Sequence, residues 1–135
     1  MRPKDLKYTE THEWVRIEGD TATIGITDYA ISQLSDLVHI ELPEAGEHVE
    51  QDAPFGEIES VKTVSDLVAP LTGEIVGVNE ELLTDVSVLA KDPYEEGWLV
   101  KLKIEDPSEV PALLSFTDYE EFVESEKEGE EEEEE

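Results

Sequence analysis

The stretch Phe55-Gly-Glu-Ile-Glu-Ser-Val-Lys-Thr-Val-Ser-Asp-Leu-Val-Ala69 decides the fold. Its halves, about Phe55–Val61 and Thr63–Ala69, are rich in β-branched residues and read as two strands with Lys62 between them. The flanks are near mirror images, Glu59-Ser60-Val61 before the lysine and Val64-Ser65-Asp66 after it. Strands running into and out of one point place Lys62 at a hairpin tip, projecting into solvent. Between Arg16 and Lys91 it is the only Lys or Arg, in a stretch that carries 16 acids. The turn chemistry is odd, because no Gly or Asn is present to adopt a positive φ. A lysine kept there suggests a functional constraint.

The same period-two pattern extends in both directions. His12–Ile17 and Thr21–Ile26 read as a hairpin about Glu18-Gly19-Asp20, and Leu37–Leu42 alternates with Val38, Ile40 and Leu42 on one face. Glu74–Val78 and Trp98–Ile104 are further strands, and Pro70–Gly73 is a turn that Gly73 makes tight. Helices fall at the margins. One runs from Thr27 or Asp28 through Asp36, a helical turn lies at Glu80–Leu83, and another helix opens at Pro107 toward Leu114. A last one, capped by Thr117-Asp-Tyr-Glu120, extends to about Val123. The expected organisation is a single domain over residues 1–123, with a core over about 20–104 and C-terminal helices over about 107–123. An acidic, disordered tail follows over 124–135. Many short strands with few helices suggest a mainly β protein, a small barrel or sandwich with peripheral helices.

Composition narrows the function. The 135 residues carry 9 Lys and Arg against 37 Asp and Glu, a net charge of −28. That balance argues against nucleic acid or an anionic membrane as partner, since phosphate binding needs cationic side chains. No apolar run approaches a membrane span, and the start at Met1-Arg-Pro-Lys4 resembles neither a secretory signal nor a transit peptide, so a cytoplasmic protein is expected. Cysteine is absent, and His12, His39 and His48 lack chelating spacing, so no metal site is expected. Phosphate-binding and nucleophile-elbow motifs are missing too. Trp14 and Trp98 read as core residues.

An isolated exposed lysine suits two chemistries. Schiff-base catalysis needs an unprotonated amine, produced by burial or a neighbouring cation, and the sequence offers neither. Covalent attachment of a cofactor needs only an accessible amine on a recognisable tip. On spacing alone, a plain solvated turn lysine remains equally open.

Glu59-Ser-Val-Lys-Thr-Val-Ser-Asp66 resembles the lipoylation site of glycine cleavage system H proteins. Five further segments match in family order: Tyr8-Thr-Glu-Thr-His-Glu-Trp14, Ile24-Gly-Ile-Thr-Asp28, Glu41-Leu-Pro-Glu44, Ala69-Pro-Leu-Thr-Gly-Glu74 and Asp92-Pro-Tyr-Glu-Glu-Gly-Trp98. The likeness runs from about Lys7 to Phe122. It implies a lipoyl-domain-like flattened barrel, a barrel-sandwich hybrid, with lipoate in amide linkage to Lys62. It also implies a non-catalytic carrier that takes an aminomethyl unit from a pyridoxal-phosphate glycine decarboxylase to a tetrahydrofolate-dependent aminomethyltransferase. Dihydrolipoyl dehydrogenase and a lipoate-attaching enzyme are the other implied partners, and a monomer is expected. Glu13 and Asp66 match acidic positions of a cleft that shelters the loaded arm, and a cleft histidine of some relatives falls at Gln33. The alternative is an H-like relay scaffold for protein lipoylation without glycine cleavage. A biotin carrier fits less well, because Val61 and Thr63 flank the lysine where Met is expected.

Overall fold

The computed structural model describes residues 3–34 and 36–134, with side chains described through residue 126. In chain order the elements are β1 (Lys7–Tyr8), β2 (Glu13–Glu18), β3 (Thr21–Ile26), α1 (Asp28–Leu34), β4 (Leu37–Glu41) and β5 (His48–Val49). There follow β6 (Pro54–Ser60), β7 (Val64–Val68), β8 (Gly73–Val78), α2 (Glu81–Thr84), α3 (Ser87–Lys91) and β9 (Val100–Ile104). A 3-10 turn (Pro107–Ala112) and α4 (Phe116–Glu134) complete the chain. Two antiparallel sheets face each other, one of six strands in the order β1-β2-β3-β9-β8-β5 and one of three in the order β4-β6-β7. The protein is a flattened barrel-sandwich of mainly β structure, with short helices between the strands and one longer helix, α4, at the end.

Alternation along the strands builds the core between the sheets. Val15, Ile24, Leu102 and Ile75 from the larger sheet meet Ile40, Ile58 and Leu67 from the smaller one, all buried. Each such side chain contributes about 1.5–3 kcal/mol on leaving water. A second, aromatic cluster of Tyr8, Trp14, Tyr29, Tyr94 and Tyr119 joins the chain's early and late segments. Tyr8 exchanges backbone hydrogen bonds with Leu114 at 2.8 and 2.7 Å, and the Tyr8 and Tyr119 rings stack at 4.6 Å. Trp14 lies flat against Gly25, its cross-strand partner, where a Cβ would come within 2.4 Å of the indole. Trp14 is fully buried; Trp98 is only half-buried, with the Lys101 ammonium 5.2 Å from its ring.

Several local expectations change. Val38 does not share the inner face with Ile40. A bulge between Leu37 and His39 leaves it without a partner and turns it outward, 49% exposed. Gly73 is not a turn residue but the first residue of β8. A Cβ there would sit 2.0 Å from the Lys103 carbonyl oxygen, so the glycine serves close strand approach. The cap of α4 is Ser115, whose hydroxyl accepts from the Asp118 N–H at 3.2 Å, two residues before the expected Thr117. That helix does not stop near Val123 but runs to Glu134, because the acidic segment holds no proline and Glu is a good helix former. The expected tail, 124–135, therefore begins inside this helix. Among the described residues no helix is long and apolar enough to cross a membrane.

Candidate functional site: a hairpin lysine beside a carboxyl-lined pocket

Strands β6 and β7 pair from Pro54↔Val68 up to Glu59↔Val64, leaving Lys62 at the exposed tip. The turn is organised by Ser60 instead of by glycine. Its buried hydroxyl accepts from the N–H groups of Lys62 at 3.3 Å and Thr63 at 3.2 Å, while the Ser60 N–H donates to the Thr63 carbonyl at 2.8 Å. This is a serine side chain imitating a backbone turn, and it needs no positive φ. Among the described residues only His12 and Asp52 adopt positive φ outside glycine. A further bond, from the Val61 N–H to the Asp36 carbonyl at 3.0 Å, ties the tip to the segment after α1. The lysine is thus exposed at its end but rooted in a defined turn.

Beside the hairpin lies a pocket of about 170 Å³. Ile26, Leu34, Ile58 and Leu67 form its apolar wall; Thr11, His12, Glu13, Gln33, Ser65 and Asp66 supply the polar one. The structure therefore brings Glu13, Gln33 and Asp66, which are distant in sequence, to one hollow next to the lysine strand. Their surroundings differ. Asp66 is exposed, whereas Glu13 is 1% exposed. The Glu13 carboxyl accepts from the Thr9 hydroxyl at 2.7 Å, from the Thr11 hydroxyl, and from the Val68 N–H at 3.3 Å. Burial pushes its pKa up to about 7, against the opposing pull of those hydrogen bonds.

His12 is the pocket residue that sequence reasoning left without a role. It holds φ 71°, and its Nδ1 meets the Tyr119 hydroxyl at 2.8 Å while its Nε2 meets Glu126 at 3.0 Å. The Tyr119 hydroxyl also contacts the buried Thr27 hydroxyl at 2.7 Å, so α4 fixes one side of the pocket. His39 sits exposed on β4 and His48 on β5 beside Glu105. Among the described residues no group of three or more His, Cys, Asp or Glu is gathered as a metal site. A larger hollow of about 410 Å³ lies behind Thr9 and Thr11 and is lined by Gln51, Asp52, Pro70 and Leu114; Lys62 is not part of it.

The exposed lysine tip and the carboxyl-lined pocket beside it thus stand together on a flattened barrel-sandwich. The sequence profile of the family described as "Glycine cleavage H-protein" matches residues 6–126. A glycine cleavage system H protein of Halalkalibacterium halodurans is 50% identical over 124 residues, covering 92% of this chain and 97% of that one. One from Staphylococcus carnosus is 49% identical over 121 residues, covering 90% and 96%. The crystal structure of a glycine cleavage system H protein from Mycobacterium marinum superposes with a TM-score of 0.82 at 40% identity, covering 93% of this chain and 99% of that chain. The chain belongs to the glycine cleavage H-protein family.

Proposed function

We propose that the protein is the lipoylated, non-catalytic carrier of a glycine cleavage system, with lipoate joined to Nζ of Lys62. The observation that carries this reading is the exposed Lys62 at a turn built by Ser60, one strand-length from the pocket of Glu13 and Asp66. Attachment requires the Lys62 amine to attack the carbonyl carbon of an activated lipoyl donor. A C–N bond forms, the bond to the donor's leaving group breaks, and the amine loses a proton. Lipoate held there would supply a redox-active dithiolane, opened by reduction as it takes up the aminomethyl unit from the decarboxylase, relieved of it by the aminomethyltransferase, and reoxidised by dihydrolipoyl dehydrogenase.

The chain's own residues position and shelter the load. Asp66 lies four residues beyond Lys62, about 13 Å along a strand, while a lysine with a lipoyl chain extends about 14 Å. The pocket is therefore within reach of the arm's end. The carboxyls of Glu13 and Asp66 offer partners to a cationic nitrogen there; at the buried Glu13 the attraction is strengthened by the low local dielectric, while at the exposed Asp66 water screens it. The deep carboxyl has its hydrogen-bonding groups in place before the arm arrives, so docking needs little reorganisation.

The test is intact mass of the protein made with a lipoate-attaching enzyme, followed by glycine decarboxylation with the purified partner subunits. The wild type should gain one lipoyl group and support turnover, and Lys62→Arg should do neither. A wild type that stays unmodified overturns the attachment. A lipoylated wild type that supports no glycine cleavage, yet passes lipoyl groups to other proteins, overturns the carrier role.

A further inference from the structure

Val38, Val61 and Val64 are three of the five large apolar side chains that the described residues expose, at 49%, 62% and 53%. All three lie at the Lys62 end of the three-stranded sheet. Val61 is its chain neighbour, and Val64 opens β7 opposite Glu59. Val38 is turned out by the β4 bulge at the same level of the sheet, two strand spacings or about 10 Å from Val64. Behind this collar, on the outer face of the three-stranded sheet, Glu41, Glu57 and Asp66 stand in one cross-strand row. All three are exposed, and none makes an ion pair among the described residues. Like charges directly opposite one another on a sheet are destabilising, and a cationic partner laid across the row relieves the repulsion.

The geometry points to this collar and acidic row as the docking surface for the enzyme that acylates Lys62, an enzyme whose active-site mouth is apolar and rimmed by Arg or Lys. The inference rests on the attachment reading above. The choice of occupant follows from reach. The attaching enzyme must bring its reacting carbon to a bare lysine amine, about 6 Å from the backbone, and so must cover whatever rings the tip. Enzymes that act on the loaded arm meet it about 14 Å out and need not touch the collar. Three valines left in water on a chain of −28 net charge are otherwise unexplained, since the turn is held by Ser60 and by the Val61 N–H, not by the valine side chains.

The experiment uses the full unmodified chain with a purified lipoate–protein ligase, lipoate, ATP and Mg²⁺, followed by intact mass. The triple variant Val38→Thr, Val61→Thr, Val64→Thr keeps β-branched side chains and removes three apolar contacts. Its kcat/KM for lipoylation is expected to fall about tenfold or more, as for loss of a central interface cluster. Acylation of Lys62 by a small activated ester should stay unchanged, which shows that the turn and the amine are intact. Glu41→Gln with Glu57→Gln should slow lipoylation several-fold at low salt and flatten its dependence on ionic strength. A triple variant lipoylated at the wild-type rate overturns the inference, as does an equal loss with the small ester. So does normal lipoylation followed by lost glycine turnover, which would assign the collar to the catalytic subunits. A wild type that the ligase never modifies counts instead against Lys62 attachment itself.

Discussion

The carboxyl of Glu13, on the second strand, accepts a hydrogen bond from the backbone N–H of Val68, 55 positions away on the strand that leaves the lysine tip. The bond joins the two sheets at the pocket and places a buried acid where the six-stranded sheet meets the edge of the three-stranded one. Its raised pKa makes that junction sensitive to pH.

Below about pH 4.5 the Glu13 carboxyl is protonated both folded and unfolded and favours neither state. As pH rises toward 7 only the unfolded chain ionises, so this residue's contribution to stability is progressively lost. Above about 7 the loss is complete, about 3 kcal/mol at most. Glu13→Gln mimics the protonated form. Its stability relative to wild type should therefore rise between about pH 4.5 and 7 and then level off, read by urea unfolding at each pH, while the two proteins converge below pH 4.5. Parallel curves for the two proteins would remove the assignment.

The Ser60 hydroxyl serves two N–H groups at the tip. Ser60→Ala should cost about 1 kcal/mol and act locally. Amide exchange of Lys62 and Thr63 should quicken several-fold, while the core strands β3 and β9 keep their protection. Unchanged exchange at the tip would mean that the hydroxyl does not hold the turn.

Gly25 has no room for a methyl group, because the Trp14 indole occupies the place at 2.4 Å and Trp14 is itself fully buried. Gly25→Ala should cost about 1–3 kcal/mol through overpacking. Near-ultraviolet circular dichroism should show the displaced tryptophan, even at temperatures where the fold persists.

The hairpins were legible because their residues obey period two and because Gly19 and the symmetric flanks of Lys62 mark where they turn. The short pieces were not. Lys7–Tyr8 and His48–Val49 contribute two residues each, too few to show a period, and Ser87–Lys91, whose first N–H is held by Asp85, is only five residues long. Val38 was misplaced because a bulge changes the facing of a single residue without any mark in the pattern. The pocket was legible only in part. Resemblance pointed to Glu13, Gln33 and Asp66, but the burial of Glu13 depends on contacts with Val68 and Thr9 that no local pattern encodes. His12 stood in plain view within the His-Glu-Trp segment, yet its significance lies in Tyr119, 107 positions away.

That hydroxyl yields a fourth prediction. Tyr119→Phe takes a partner from both His12 and the fully buried Thr27, and should destabilise the protein by about 1–3 kcal/mol. His12, left with Glu126 and the rings of Tyr29 and Phe122 but without the hydroxyl at Nδ1, should show a shifted ring resonance in NMR spectra. A spectrum matching the wild type would mean that the Tyr119 hydroxyl does not position it.

The hydrogen bonds between Tyr8 and Leu114 and the stacking of Tyr8 on Tyr119 also set an order of assembly. A nascent chain emerging from the ribosome can zip its local hairpins early, since contacts close in sequence form first. The wall behind His12 must wait until nearly the whole polypeptide has emerged. The pocket's own lining, from Thr11 to Leu67, emerges together with the lysine hairpin, whereas the helix that backs His12 arrives last, so the hollow exists before its rear support does.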